Sequence, residues 1–177
     1  MAREDQPGGR QKREAAAPVP RSAGPVITPY AMPDFLDHEL AVVLAYWEEL
    51  KQRAHDIPFW VDVHLTALRE FSDTLMMIDV FEKPERFRFG VVGRAIIRRY
   101  GSDVESHFVD EVSRRPPFEY FVSQCSATVQ ASAPTYYHHI AANAHDPDPS
   151  KAYLRMLLPL WGEGRIAMLL GAVVLAE

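Results

Sequence analysis

Asp62 and His64 stand two residues apart in the run Val61 to His64, and a carboxylate beside an imidazole is the elementary pair for general acid–base work near neutral pH. That spacing alone is common by chance. A polar connector whose aspartate caps the following turn uses the same residues. His138 and His139 are adjacent, so on a strand their rings leave opposite faces and cannot both ligate one metal without distortion. The run from His145 to Pro149 (HDPDP) offers oxygens to a cation, yet two prolines in five residues describe a loop. Cys125 shares the apolar face of an expected helix with Phe118, Phe121, Val122 and Val129, as a core thiol does and a nucleophile does not. As the one cysteine of the chain it excludes an internal disulfide, a zinc ribbon and an iron–sulfur cluster, and it fits a reducing compartment.

The elements that must position these groups centre on Thr74 to Asp110. Thr74 to Phe81 (TLMMIDVF) is apolar at nearly every position and Arg86 to Val92 (RFRFGVV) alternates. Between them Glu82-Lys83-Pro84-Glu85 is charged and carries a proline, so the three parts predict a β-hairpin. Gly93 breaks the pattern, Arg94 to Tyr100 has room for about two helical turns, and Gly101 stands where a left-handed cap belongs. A second short helix is expected at once, with Ser102 and Glu105 as a capping box and Val104, Phe108 and Val112 on one face.

With 177 residues, 47% hydrophobic and 24% charged, the chain suits one compact domain that buries roughly two-thirds of its unfolded surface. A net charge of −5 without a dense basic run argues against a nucleic-acid surface. No apolar run approaches the roughly 18 residues that span a bilayer, and the N-terminus lacks the apolar core of a signal peptide, so a cytoplasmic protein without a membrane partner is expected. Residues 1–33, rich in Arg, Ala, Pro and Gly, read as a disordered tail. Residues 34–56 hold a flanking helix, capped by Asp34 or Asp37 and running to about Ala54. Its stripe is Leu40, Val43, Leu44, Trp47 and Leu50, widened by Val42, Ala45 and Tyr46. Such a breadth can cover the parent domain or pair with a second copy of itself.

Residues 57–177 form the domain proper. Ile57 to Phe71 is a connector with a helical turn or two. A helix follows Arg114 to Pro117 (RRPP) and extends to about Ala131, and Thr135 to Ala142 is a strand. Ala152 to Trp161 and Arg165 to Ala176 close the chain as a hairpin, apolar on both faces as strands between helices on one side and a partner on the other would be.

This order predicts an α+β fold: an antiparallel sheet of about five strands with helices packed on one face and the N-terminal helix flanking it. It resembles the PAS fold, and more narrowly a bacterial family of short, mostly single-domain PAS-containing proteins. The motifs that carry the resemblance are Tyr46-Trp47, Pro58 with Asp62, Phe87 to Gly93 (FRFGVVG), Gly101-Ser102-Asp103, Leu157 to Leu160 (LLPL) and Leu169-Leu170-Gly171. They run from about Glu39 to the C-terminus. The chain departs from the pattern at Phe59-Trp60-Val61, where an arginine is usual, and at Gly93-Arg94, where Gly-Thr is usual.

The resemblance implies a non-catalytic regulatory or sensor module that binds a small molecule or docks a signalling protein and, with no output domain attached, acts in trans. Ligands in such folds lie between the inner sheet face and the short helices, which implicates Tyr100, Phe108, Tyr120, Phe121, Gln124, Tyr137 and Arg155. No cofactor is expected. The flavin subtype needs an Asn-Cys-Arg-Phe-type segment, and the haem subtype an axial histidine on the long helix. A homodimer through Leu40, Val43, Trp47 and Leu50, or through the opposite stripe of Val42 and Tyr46, is implied by the flanking helix. The alternatives are a small α+β enzyme working through Asp62 and His64, and a dimeric adaptor without a ligand.

Overall fold

The computed structural model describes residues 29–51, 55–140 and 151–176. Most of the expected tail, the last residues of the expected first helix and the segment at His145 to Pro149 lie outside these. Helix α1 spans His38–Glu49, and 3₁₀ turns at Trp60–Asp62 and Leu65–Thr74 lead to strands β1 (Leu75–Glu82) and β2 (Glu85–Val92). Helix α2 (Arg94–Tyr100), a 3₁₀ turn at Val109–Glu111, helix α3 (Phe121–Ala131) and strands β3 (Thr135–His139), β4 (Tyr153–Gly162) and β5 (Arg165–Leu175) complete the order. The described strands make one antiparallel sheet in the order β2-β1-β5-β4-β3, the α+β class expected.

Local chemistry accounts for most boundaries. Asp79 and Arg88 face each other across the β1–β2 ladder and their side chains close to 2.7 Å, a cross-strand ion pair that fixes the register. The β4–β5 hairpin turns on Glu163 and Gly164 with φ of 53° and 77°, the left-handed pair whose twist suits a two-residue loop. Asp37 caps α1 by accepting from the Glu39 N–H at 2.9 Å. Gly101 ends α2 at φ 88°, its N–H donating to Ile97 O at 2.8 Å.

The second short helix does not form. Residues 105–108 instead run along β2: Ser106 N–H donates to Phe89 O at 2.8 Å and Phe89 N–H to His107 O at 3.0 Å. Glu105 turns its carboxylate to Val92 N–H at 2.9 Å rather than to a capping box. β2 is an edge strand, and a helix here would leave its outward backbone groups bare.

The sheet is covered on both faces, which corrects the expectation of helices on one side and a partner on the other. One face carries Ile78, Phe87, Phe89, Leu157, Leu169 and Val173 against α2 and α3. The opposite face carries Leu75, Met77, Met156, Leu158, Leu160 and Leu170, and α1 lies over it with Leu40, Val43 and Trp47 fully buried. Trp47 also donates its indole N–H to Pro159 O at 2.9 Å. Of the residues expected at a dimer interface, then, Leu40, Val43 and Trp47 are core of their own chain, because the apolar row on β4 and β5 has to be covered and α1 covers it. The other stripe is partly taken as well, since the Tyr46 hydroxyl accepts from His64 N–H at 2.8 Å and Val42 and Leu50 are half-buried.

The boundary of the tail also moves. Tyr30 is buried, its carbonyl accepts from Tyr136 N–H at 3.0 Å, and its hydroxyl lies 3.5 Å from Tyr120 O, so residues from about 29 belong to the fold. No helix among the described residues is long and apolar enough to cross a membrane.

Truncating Trp47 to Ala removes a buried indole and orphans a carbonyl. It should cost about 4 kcal/mol and lower the thermal midpoint by roughly 10 °C. Calorimetry of Trp47→Ala that shows an unchanged midpoint would mean that α1 does not cover the sheet.

Candidate functional site

β4 reads YLRMLLPLWG, and Arg155 is its only charged residue. The register sets Tyr137 opposite Arg155 and His139 opposite Tyr153, so strand alternation sends all four toward α3. Arg155 is 0% exposed. Its Nε–H donates to Gln124 Oε1 at 2.7 Å, one terminal nitrogen donates to Pro117 O, and the other to Glu119 O at 2.9 Å. The guanidinium carbon lies 4.6 Å from the ring centre of Phe121, 5.0 Å from that of Tyr137 and 5.7 Å from that of Tyr153. Burial pulls its pKa below the ordinary guanidinium value, and the neighbouring tyrosines, Cys125 and the Glu119 carboxylate oppose that pull.

The partners are themselves held. Gln124 Nε2–H donates to Thr135 Oγ1 at 3.2 Å, and the Thr128 hydroxyl donates to Gln124 O at 2.8 Å. With that proton engaged, the 2.6 Å contact between the two threonine hydroxyls has Thr135 as donor. Glu119 accepts from the Tyr153 hydroxyl at 2.7 Å and lies 3.9 Å from His139 Nδ1. The His139 ring stacks on Tyr153 at 5.2 Å, and its Nε2 is buried without a hydrogen-bond partner. Burial pushes the Tyr153 phenol far above its ordinary range; Arg155 opposes this and Glu119 adds to it. Burial likewise pushes the Cys125 thiol up, which leaves it inert as a nucleophile.

The guanidinium explains where α3 begins. A helix from Phe118 would turn the Pro117 and Glu119 carbonyls along its axis, but both aim at Arg155, and Tyr120 takes φ 53° before the helix starts at Phe121. Tyr120 thereby stands 67% exposed at the edge of a cleft of about 480 Å³. Val109, Arg114, Phe118, Glu119, Phe121 and Val122 line it with Tyr120 and Ser123. The acids beside it are engaged: Arg86 donates to Asp110 at 2.8 and 3.0 Å and to Glu111 at 3.0 Å, and holds the Asp110 carboxyl below the usual carboxylate range. Arg114 has no ion-pair partner among the described residues.

Of the seven residues expected at a ligand, the structure brings Tyr120, Phe121, Gln124, Tyr137 and Arg155 together. Tyr100 belongs to the adjoining core, 5.2 Å from Phe118 and beneath the Arg115 guanidinium. Phe108 does not join them. It lies outside β2, under Arg86 at 3.7 Å and 5.6 Å from Phe81. The expected space between sheet and helices is occupied by side chains, with Phe89 4.8 Å from Phe118 and 5.5 Å from Phe121. Sequence reasoning missed Tyr153 and His139, although the two-residue strand period from Arg155 and Tyr137 points to both. It also missed Glu119 and Arg114, which no periodicity marks. Asp62 and His64 fall in the connector on the α1 side, where the backbone of His64 is tied to Tyr46 and its side chain is exposed. His138 is exposed and His139 turns inward, as adjacent strand residues must. Among the described residues no cluster of three His, Cys, Asp or Glu is disposed to hold a metal.

Two outcomes test this geometry. Arg155→Lys keeps a charge but cannot serve three acceptors in a plane, so urea unfolding should register a loss of about 3 kcal/mol, and Gln124→Ala about 2 kcal/mol. Both variants within about 0.5 kcal/mol of the parent, the scatter of a neutral surface change, would contradict this role for the guanidinium. The raised Tyr153 pKa means that above about pH 10 the unfolded chain sheds a proton that the folded chain keeps. Stability is therefore full below that pH and falls as pH rises through it. Tyr153→Phe should flatten this alkaline decline, read from unfolding curves across the range, while costing about 1 kcal/mol at neutral pH through Glu119.

Compared with protein-family models and with curated proteins, the chain matches neither a family nor any of the proteins.

Proposed function

We propose that the chain is a non-catalytic, PAS-like regulatory module that binds a small molecule in the cleft at the start of α3 and acts on a separate protein. The observation that carries this reading is a shared segment. Residues 118–121 line the cleft, and the Pro117 and Glu119 carbonyls of the same segment hold Arg155 on β4. A ligand pressed against Tyr120 would shift the Pro117 and Glu119 carbonyls, and through Arg155 the strands β4 and β3. The element order of helix, hairpin, short helix, longer helix and three strands supports the PAS-like assignment. The volume lies in the range of small-molecule sites.

An enzyme built on Asp62 and His64 has less support, since these residues serve the connector. Self-association through α1 has the half-buried Val42, Leu44, Tyr46 and Leu50 and the exposed Ala45 left to offer, since Leu40, Val43 and Trp47 are buried in their own chain.

Native mass spectrometry of the full chain tests the reading. The expected result is a non-covalent mass increment that denaturation releases and that Val122→Trp, which fills the cleft, abolishes. A ligand at about a hundred times its dissociation constant should also stabilise the parent by about 2.7 kcal/mol, several degrees in midpoint. An increment unaffected by Val122→Trp would move the site elsewhere. No increment, and no thermal shift across a small-molecule library, would leave protein docking in its place.

A further inference from the structure

We propose that this cleft selects a small organic carboxylate with a flat apolar body, the carboxylate meeting Arg114 and the body lying against Tyr120 and Val122. The inference rests on the reading of the chain as a ligand-binding module and names the class of ligand.

Shape and charge argue separately. The walls are chiefly apolar: Val109, Phe118 and Phe121 form the buried floor of the cleft of about 480 Å³, and Val122 and Tyr120 are its exposed apolar side chains. Tyr120 stands 67% exposed at its edge, while the Phe118 and Phe121 rings are buried against each other at 5.3 Å, so the Tyr120 ring is the face on which a flat body can lie. A sugar or a polyol would strand its hydroxyls there.

The sign of the charge follows from what is already paired. Asp110 and Glu111 stand on the segment that forms one side of the cleft, and Arg86 holds both, at 2.8 and 3.0 Å. Glu119 is the lining carboxylate, but its side chain is only 18% exposed and its oxygens go to Tyr153 at 2.7 Å and toward His139. The lining carboxylate is committed, and the lining Arg114 is not. Arg114 lines the cleft with no ion-pair partner among the described residues, and the Arg155 guanidinium lies 4.6 Å behind the Phe121 ring, buried without a direct carboxylate bond. The first turn of α3, which has no side-chain cap, adds a weaker preference of the same sign. An ammonium ligand would face the Arg114 guanidinium, and a phosphate dianion would find one guanidinium where several donors are usual. A monoanionic carboxylate matches a single planar fork.

Fluorine NMR on the full chain tests this with three probes of one shape: fluoronaphthoate, fluoronaphthylmethanol and fluoronaphthylmethylamine. The acid should bind at least about tenfold more tightly than the alcohol, and the amine should bind more weakly than either, in line with one charge-assisted contact. Arg114→Ala should bring the acid down to the level of the alcohol, and Arg114→Lys should restore part of the difference. Because Arg114 is exposed and has no ion pair among the described residues, its variants should keep the parent's thermal midpoint, so lost binding cannot be put down to lost folding. Alcohol binding as tight as that of the acid, or acid binding indifferent to Arg114→Ala, overturns the carboxylate assignment and leaves the ligand-binding module intact. Failure of all three probes to broaden overturns the assignment too, while the mass increment and its loss in Val122→Trp test the module separately.

Discussion

A guanidinium fully buried between the sheet and α3 is the constraint around which one half of this molecule is arranged. Removing such a group from water costs several kcal/mol, and no carboxylate bonds Arg155 directly to offset that cost. The compensation comes from a side-chain amide, two backbone carbonyls and three aromatic faces. Each of these is then fixed in turn: Gln124 by Thr135 and its own backbone link to Thr128, Tyr153 by Glu119, and the carbonyls by a chain reversal that ends in the left-handed Tyr120. A buried polar network of this kind stabilises a fold only when its members are satisfied, and here the unsatisfied exception is His139 Nε2.

The opposite face follows a different rule. Among the described residues it contains no comparable buried polar group, and α1 covers it with aliphatic side chains and one indole whose N–H finds Pro159. Hydrophobic burial of this sort is non-directional and tolerates adjustment, whereas hydrogen bonds to a guanidinium do not. The two faces of one sheet thus differ in stiffness: adjustable under α1, specified under α3. A module that transmits a signal has reason to keep the specified side next to its cleft.

How much of this could be read from sequence divides along the same line. Elements set by local rules were legible: the hairpin from alternation and a proline-bearing turn, α2 from its length and Gly101, the closing hairpin from Gly162-Glu163-Gly164. Elements set by partners remote in sequence were not. The capping box at Ser102 and Glu105 gave way to the open edge of β2, α3 lost its expected first turn to Arg155, and the Leu40, Val43 and Trp47 stripe gave no hint whether a sheet or a second copy would cover it. Five of the seven proposed ligand residues meet because one of them is a buried arginine and the other four gather around it, and its isolation in an apolar strand was the visible clue. The cleft was invisible, since its shape depends on a backbone reversal that follows from Arg155 and not from the residues that line it.

That dependence also bears on how a signal could leave the site. Coupling requires an element with two arrangements that ligand and partner both bias. A packed apolar wall alone yields to a ligand by small side-chain shifts that die out within a residue or two. Residues 117–121 are different, because displacing them exchanges hydrogen bonds to a buried charge, and such bonds are made or broken rather than stretched by degrees. The edge strand β3 pairs with Arg155's strand on one side and receives the Tyr30 carbonyl on the other. A change in how the Pro117 and Glu119 carbonyls meet Arg155 therefore has a short path to an exposed edge and to the entry of the N-terminal segment. On the reading proposed above, that edge is where another protein would first meet a change inside the cleft.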